Sequence, residues 1–208
     1  MERDTTLIIL AGGKSSRMGL PKGLLKHKDS FWILSQVEGF IGETIYIGLG
    51  YDHQRYFDAI PWLQQAVEKP QLHQQKKVRV VINKTPQFGL FSTLQTILID
   101  HQMQRADKTV LITPIDVPLP NTKNQKKIFE KDNLLVIPKY KGKNGHPVKL
   151  APEFWCSLLN IDVKDPEARL DVQIKKRNAS EISYVEINDA SILKNLNSPK
   201  DWQNYLNS

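Results

Sequence analysis

The chain carries one cysteine, Cys156, in 208 residues. A lone thiol excludes an intramolecular disulfide framework and points to a reducing, cytoplasmic setting. Its neighbours Phe154 and Trp155 favour a buried structural thiol over a nucleophile. No apolar run approaches the ~18–20 residues needed to span a bilayer, so a membrane protein is not expected. Residues 1–4 lead straight into an apolar stretch, with no signal-peptide core or cleavage site. No repeat, low-complexity tract or linker divides the chain, which reads as one domain over residues 1–208. Neither G-x-G-x-x-G nor G-x-x-x-x-G-K-[ST] occurs, so the dinucleotide and P-loop fingerprints are both missing. Zinc-finger spacings, RNA-binding aromatic motifs and Ser-His-Asp or Cys-His arrangements are missing too.

What is present has the balance of a globular protein, with 40% hydrophobic and 25% charged residues. The formal net charge is +7. A basic surplus can serve nucleic acid, an anionic membrane or a small polyanion. Here the lysines are scattered and form no long basic tail, which argues against a nucleic-acid partner.

Short β-branched runs alternate with helical patterns. Residues 7–11, 44–49, 78–83, 109–113, 134–137 and 182–187 read as strands, with 147–150 a returning strand and 192–196 a further candidate. Ser30 is a plausible N-cap for a helix closed by Gly42; residues 90–103, 152–159 and 166–176 read as helices, and 69–77 as a polar loop. Residues 52–67 are mixed, with Pro61 interrupting any long helix. The last helix is well signalled, with Ser198 as N-cap, Pro199 at N1, Asp201 at N3 and Trp202 stacked on Leu206. Such alternation predicts an α/β fold, three-layered and Rossmann-like, with a mainly parallel sheet whose strand C-termini share one ligand-binding edge.

The organising stretch is the first strand and its loop. Residues 7–11 end in Gly12-Gly13, and Lys14, Ser15, Arg17 and Lys22 follow. Glycines permit close backbone approach, N–H groups can cradle oxygens, and the cations neutralise them, so the loop suits a polyphosphate. A tight turn with no ligand fits the same residues. Three further strand-end loops can converge on it. One holds Asn83, Gly89 and Ser92, of which Asn83 at a strand end and Gly89 before a helix are ordinary turn residues. Another, 113–120, places Asp116 after a buried strand, where a carboxylate needs solvent, a partner or a cation such as Mg²⁺. The last, 140–148, contains Asn144, Gly145, His146 and Pro147 and reads by composition as a flexible hairpin.

The string from Leu10 and Ala11 through Gly12-Gly13-Lys14-Ser15-Ser16-Arg17-Met18-Gly19 to Pro21-Lys22 resembles the signature of the nucleotidyltransferases, in particular the molybdenum-cofactor guanylyl- and cytidylyltransferases. Asp116-Val117-Pro118 resembles their Asp-x-Pro metal loop. Gly145-His146-Pro147-Val148 resembles a loop beside the acceptor pterin, and Asn195-Leu196-Asn197-Ser198-Pro199-Lys200-Asp201 resembles a late Asn-x-Asn-Thr-Pro-Glu-Asp motif. The matches run in family order along nearly the whole chain. Gly12-Gly13 follows the guanylyl type, whereas Pro21-Lys22 and the His146 loop lean towards the cytidylyl type, so the base stays open between GTP and CTP.

The resemblance implies transfer of a nucleoside monophosphate from a nucleoside triphosphate to a phosphorylated, molybdopterin-like acceptor, with release of pyrophosphate. It implies nucleotide contacts at Leu10, Ala11, Gly12, Gly13, Lys14, Ser15, Arg17, Lys22, Asn83, Gly89 and Ser92. Arg17, Lys22 and Asp116 take catalytic roles, Asp116 and Asn197 hold Mg²⁺, and Asn144, Gly145, His146 and Pro147 meet the acceptor. A sugar or polyol phosphate acceptor is an alternative. So is a nucleotide-binding regulatory protein without catalysis, since the resemblance sets Asn195 and Asn197 against aspartates of related enzymes.

Overall fold

A computed structural model of the protein describes residues 5–207, with the Gln104 side chain left aside. Residues 1–4, read above as running straight into the first strand without signal-peptide features, lie outside the described residues. The elements in order are β1 (Thr6–Ala11), β2 (Lys26–His27), β3 (Ser30–Phe31), α1 (Trp32–Gly39), β4 (Thr44–Leu49), α2 (His53–Ala59), α3 (Trp62–Glu68), β5 (Gln71–His73), β6 (Lys76–Ile82), α4 (Gly89–Arg105), β7 (Val110–Pro114), α5 (Thr122–Phe129), β8 (Leu135–Tyr140), β9 (Lys143–Asn144), β10 (Val148–Leu150), α6 (Pro152–Leu158), α7 (Leu170–Lys175), β11 (Ile182–Glu186) and α8 (Pro199–Leu206).

Among the described residues nine strands form one sheet in the order β11-β8-β10-β7-β1-β4-β6-β5, with β9 paired to β8. The pairs β1–β4, β1–β7, β4–β6 and β8–β11 are parallel, whereas β10 runs antiparallel between β7 and β8. All six residues of β1 are buried, as a central strand covered on both faces requires. Period-2 alternation then divides them. Leu7 and Ile9 join the layer of Trp32, Ile33, Val37 and Leu63, while Ile8 and Leu10 join Leu94, Ile97, Phe154 and Trp155 on the other face. The result is helix, sheet, helix: the three layers and mainly parallel sheet expected.

The chain adds β4 and β6 on one side of β1 and then returns to lay β7 on the other. The switch point therefore falls between β1 and β7, and the crevice beyond their C-terminal ends lies between the Gly12 loop and the Asp116 loop.

Several local expectations are corrected. Residues 69–77 are not all loop: Gln71–His73 pairs antiparallel with Lys76–Ile82 across a tight turn in which Gln74 and Gln75 take positive φ. Residues 192–196 are no strand; Ala190–Leu193 is a 3₁₀ turn, capped by the Asp189 carboxylate accepting from Ser191 N–H. Ser30 belongs to a two-strand ribbon, and helix α1 starts at Trp32 and closes at Phe40 rather than Gly42. The helix expected over 166–176 shrinks to Leu170–Lys175. Cys156 is partly rather than fully buried, packed against the core from α6, and burial pushes its thiol up. In α8 the capping box of Ser198 and Asp201 forms as the sequence reads, but Leu206 is exposed and Trp202 meets Tyr205 instead. Among the described residues no helix is long and apolar enough to cross a membrane.

Candidate active site

Ala11 ends β1 and the chain turns at Gly12, packed where no side chain fits. A Cβ on Gly12 would stand 2.6 Å from Thr93 Oγ1, and one on Gly50, just past β4, 2.3 Å from the Gly12 carbonyl oxygen. The loop then runs out to exposed Gly13, Lys14, Ser16 and Arg17 and returns through buried Met18. Two backbone anchors fix its far end. Lys22 N–H donates to Ser15 Oγ at 3.1 Å, and Gly23 N–H donates to the hydroxyl of buried Tyr56 at 3.2 Å.

From that anchored position the Lys22 side chain crosses the crevice. Its Nζ donates to Asp116 Oδ2 at 2.7 Å and to Asn197 Oδ1 at 2.5 Å. The Lys22 and Asp116 side chains are only 15% and 17% exposed. Residues from the first, middle and last parts of the chain thus meet at one point.

The Asp116 loop is held from below by buried side chains of α1. Trp32 Nε1 donates to the Ile115 carbonyl at 2.6 Å, and Gln36 Nε2 donates to the Val117 carbonyl at 2.8 Å. Gln36 Oε1 also accepts from Leu119 N–H at 3.0 Å. Ile115 N–H donates to the Leu10 carbonyl, and Leu196 N–H to that of Asp116, so β1 and the C-terminal segment share the loop. Asp201 closes the latter by accepting from the N–H groups of Asn197 and Ser198. The Ser198 hydroxyl hydrogen bond, with smaller help from backbone N–H groups and the Arg17 charge, holds the Asp201 carboxyl below its ordinary range.

Asn83 and Ser92 face inward. Asn83 Nδ2 donates to Ser92 Oγ at 2.8 Å and Thr93 Oγ1 at 3.0 Å, while its Oδ1 accepts from Thr85 N–H and Oγ1. Ser92 Oγ donates towards the carbonyls of Gly89 and Thr85. Both donors and both lone pairs of the Asn83 amide are therefore engaged within the protein. This network joins the end of β6 to the start of α4, where Gly89 takes φ 82°.

On the other side of the crevice, Asn144, Gly145 and His146 line a cavity of about 580 Å³. Its wall is mainly apolar, with Leu10, Leu90, Phe91, Leu94, Ile137 and Val148 among its members. Gly145 is pressed against the backbone of the 190–193 turn, and His146 N–H donates to the Ile192 carbonyl at 3.0 Å. Pro147 follows a cis peptide bond. Burial lowers the His146 pKa, opposed by the Ile112 carbonyl and the Asp116 charge; its Nδ1 is buried and unpaired.

Sequence reasoning placed Lys22, Asp116 and Asn197 in one site without foreseeing their direct contact. It missed Trp32 and Gln36, which look like ordinary members of an amphipathic helix. It also missed Tyr51, whose ring lies 4.6 Å from Lys14 Nζ, and the 168–175 segment that walls the cavity. The exposed aromatic after Gly50 was the available signal for Tyr51; nothing local marked the others.

The model of the MobA-like NTP transferase domain matches residues 7–173. The chain belongs to that family. A search of curated proteins finds no match. Solved structures share the fold at low identity. The Rv0371C protein of Mycobacterium tuberculosis in complex with manganese is 16% identical, with TM-score 0.69 over 99% of both chains. A nucleotidyl transferase from Methanothermobacter is 17% identical, with TM-score 0.70 over 98% of this chain and 96% of that one. The molybdopterin-guanine dinucleotide biosynthesis protein A of Archaeoglobus fulgidus is 12% identical, with TM-score 0.65 over 98% of this chain and 97% of that one. Family membership makes nucleotidyl transfer the chemistry to be explained, and a nucleoside triphosphate the substrate.

Proposed function

We propose that this MobA-like NTP transferase moves GMP or CMP from GTP or CTP onto the terminal phosphate of a molybdopterin-like acceptor, in the presence of Mg²⁺. The observation that carries the reading is the convergence of Asp116 and Asn197 oxygens on one ammonium at the mouth of a glycine-rich loop. A position where one carboxylate and one amide oxygen already bind a cation fits Mg²⁺, which takes one or two carboxylates plus phosphate oxygens. Among the described residues no group of three or more His, Cys, Asp and Glu converges, so substrate phosphates would complete such a site. The M. tuberculosis manganese complex lends support at the level of the fold.

Backbone N–H groups around Gly12 and Gly13, with Lys14 and Ser15, hold the phosphate chain. An acceptor phosphate oxygen attacks the α-phosphorus in line, one P–O bond forms, and the bond to the β-phosphate oxygen breaks with its electron pair leaving on pyrophosphate. Little covalent work falls to the protein, so Arg17 and Lys22 act by positioning and by stabilising the negative charge that develops. Asp116 and Asn197 would hold Mg²⁺, which would supply neutralisation of the phosphate oxygens. Gly89, which lines the same cavity as the acceptor loop, would meet the nucleoside at that cavity's edge. Asn83 and Ser92, with their polar atoms engaged, would support the turn beside it rather than offer side chains to the base.

The cavity lined by Asn144, Gly145 and His146, with Pro147 behind them, would take the acceptor body. A polyhydroxylated sugar would bury hydroxyls against Leu90, Phe91 and Leu94, and each unpaired hydroxyl costs ~1–3 kcal/mol. A flat ring system with apolar faces and a polar edge suits the wall better. The test is pyrophosphate release with molybdopterin and each triphosphate in turn; release with a sugar phosphate but not with molybdopterin would reassign the acceptor.

A further inference from the structure

The two oxygens assigned above to a divalent metal are already occupied, by a side chain of the same protein. Lys22 Nζ lies within hydrogen-bond distance of both Asp116 Oδ2 and Asn197 Oδ1. The ion pair is largely shielded from water, so the contact is less screened than a surface pair. An ammonium and a divalent ion cannot share the same two oxygens, because the like charges would stand within a few ångströms of each other.

Lys22 can leave without disturbing the loop. Its backbone is pinned independently of its ammonium, by Ser15 Oγ on its own N–H and by Tyr56 on the next one. The four-carbon stem is flexible and its charge is a compact point. A triphosphate seated on the Gly12–Ser15 turn would bring several negative oxygens to the side of the loop where Lys22 starts.

We propose that Lys22 is the resident cation of the metal site in the nucleotide-free protein, and that triphosphate binding draws its ammonium onto phosphate and frees Asp116 and Asn197. Divalent metal then enters with or after the nucleotide, never before it. The inference rests on the assignment of Asp116 and Asn197 as metal ligands. It gives Lys22 two successive roles: neutralising Asp116 in the free protein, and contacting phosphate in the loaded one.

The experiment is Mn²⁺ binding followed by electron paramagnetic resonance on the full chain without nucleotide, with circular dichroism to check each variant's fold. Wild type is expected to bind Mn²⁺ weakly. Lys22→Met, which keeps the stem and removes the charge, is expected to bind about tenfold or more tightly. The gain is expected to vanish in Lys22→Met/Asp116→Asn. Lys22→Ala replaces Lys22→Met if the latter is misfolded. Equal Mn²⁺ affinity of wild type and Lys22→Met, lost from both with Asp116→Asn, would overturn the resident-lysine inference and leave the metal site standing. Mn²⁺ binding that ignores Asp116→Asn in every background, including wild type with a non-hydrolysable triphosphate analogue, would overturn the metal assignment itself.

Discussion

Lys22 Nζ sits 2.7 Å from Asp116 Oδ2, a contact between residues 94 positions apart. It joins the loop after β1 to the loop after β7, the two strands that flank the switch point. Removing either end is expected to cost about 100-fold or more in turnover, as for loss of one preorganised charge-stabilising group. Asp116→Ala and Lys22→Ala, assayed for pyrophosphate release, test this; turnover within a few-fold of wild type in both would remove the site.

Gln36 makes a second kind of demand. It is 2% exposed and serves the loop twice, through Val117 and Leu119. Gln36→Leu leaves a buried carbonyl and a partly buried N–H without their partner, and a cost of about 1–3 kcal/mol is expected. Because those groups flank Asp116, the Mg²⁺ concentration for half-maximal turnover should also rise. Chemical denaturation and a metal titration check both parts, and a stability loss with no change in metal requirement would make Gln36 purely structural.

Two glycines should respond with opposite sign. Gly50→Ala drives a Cβ to 2.3 Å from the Gly12 carbonyl oxygen, which is backbone rather than a flexible side-chain end. The clash is relieved only by displacing the chain on one side or the other. A loss of about 1–3 kcal/mol is therefore expected, with turnover lowered by the distortion of the loop after β1. Gly39, the last residue of α1, meets nothing within 4 Å, so Gly39→Ala should stabilise by up to ~1 kcal/mol through the unfolded chain. Paired thermal melts decide.

His101 predicts a pH dependence remote from chemistry. Its ring is buried between Tyr46 and Trp155, and burial drops its pKa from 6.5 to about 4. Between those values the unfolded chain binds the extra proton, so stability rises with pH. The contribution is complete above pH 6.5 and is lost as the pH falls towards 4, about 3 kcal/mol in all. His101→Phe should flatten that part of the stability profile, measured by urea denaturation from pH 4 to 7.5. A profile unchanged by the substitution would place the titration elsewhere.

The architecture was readable because its strands are β-branched, buried runs with a turn at each end. Residues 7–11 and 109–113 announce themselves in this way, whereas the polar edge strand Gln71–His73 offers no apolar face to detect. Residues 192–196 misled because Ile192 and Leu196 are core residues held by a turn rather than by a ladder. The site was legible as separate strand-end loops. Its geometry was not, because Trp32 and Gln36 reach the neighbours of Asp116, and Asn197 reaches Lys22, through the tertiary fold, and sequence spacing says nothing of contacts at such range.

The central claim is nucleotidyl transfer at the crevice between β1 and β7. Its most direct measurement is Mg²⁺-dependent pyrophosphate release when molybdopterin is mixed with each of the four ribonucleoside triphosphates, using wild type and Asp116→Ala. Release with GTP or CTP by wild type, and its loss in Asp116→Ala, is the expected result. No release with any triphosphate from the folded wild-type protein, whether molybdopterin or a sugar phosphate is the acceptor, or equal release by Asp116→Ala, would contradict it.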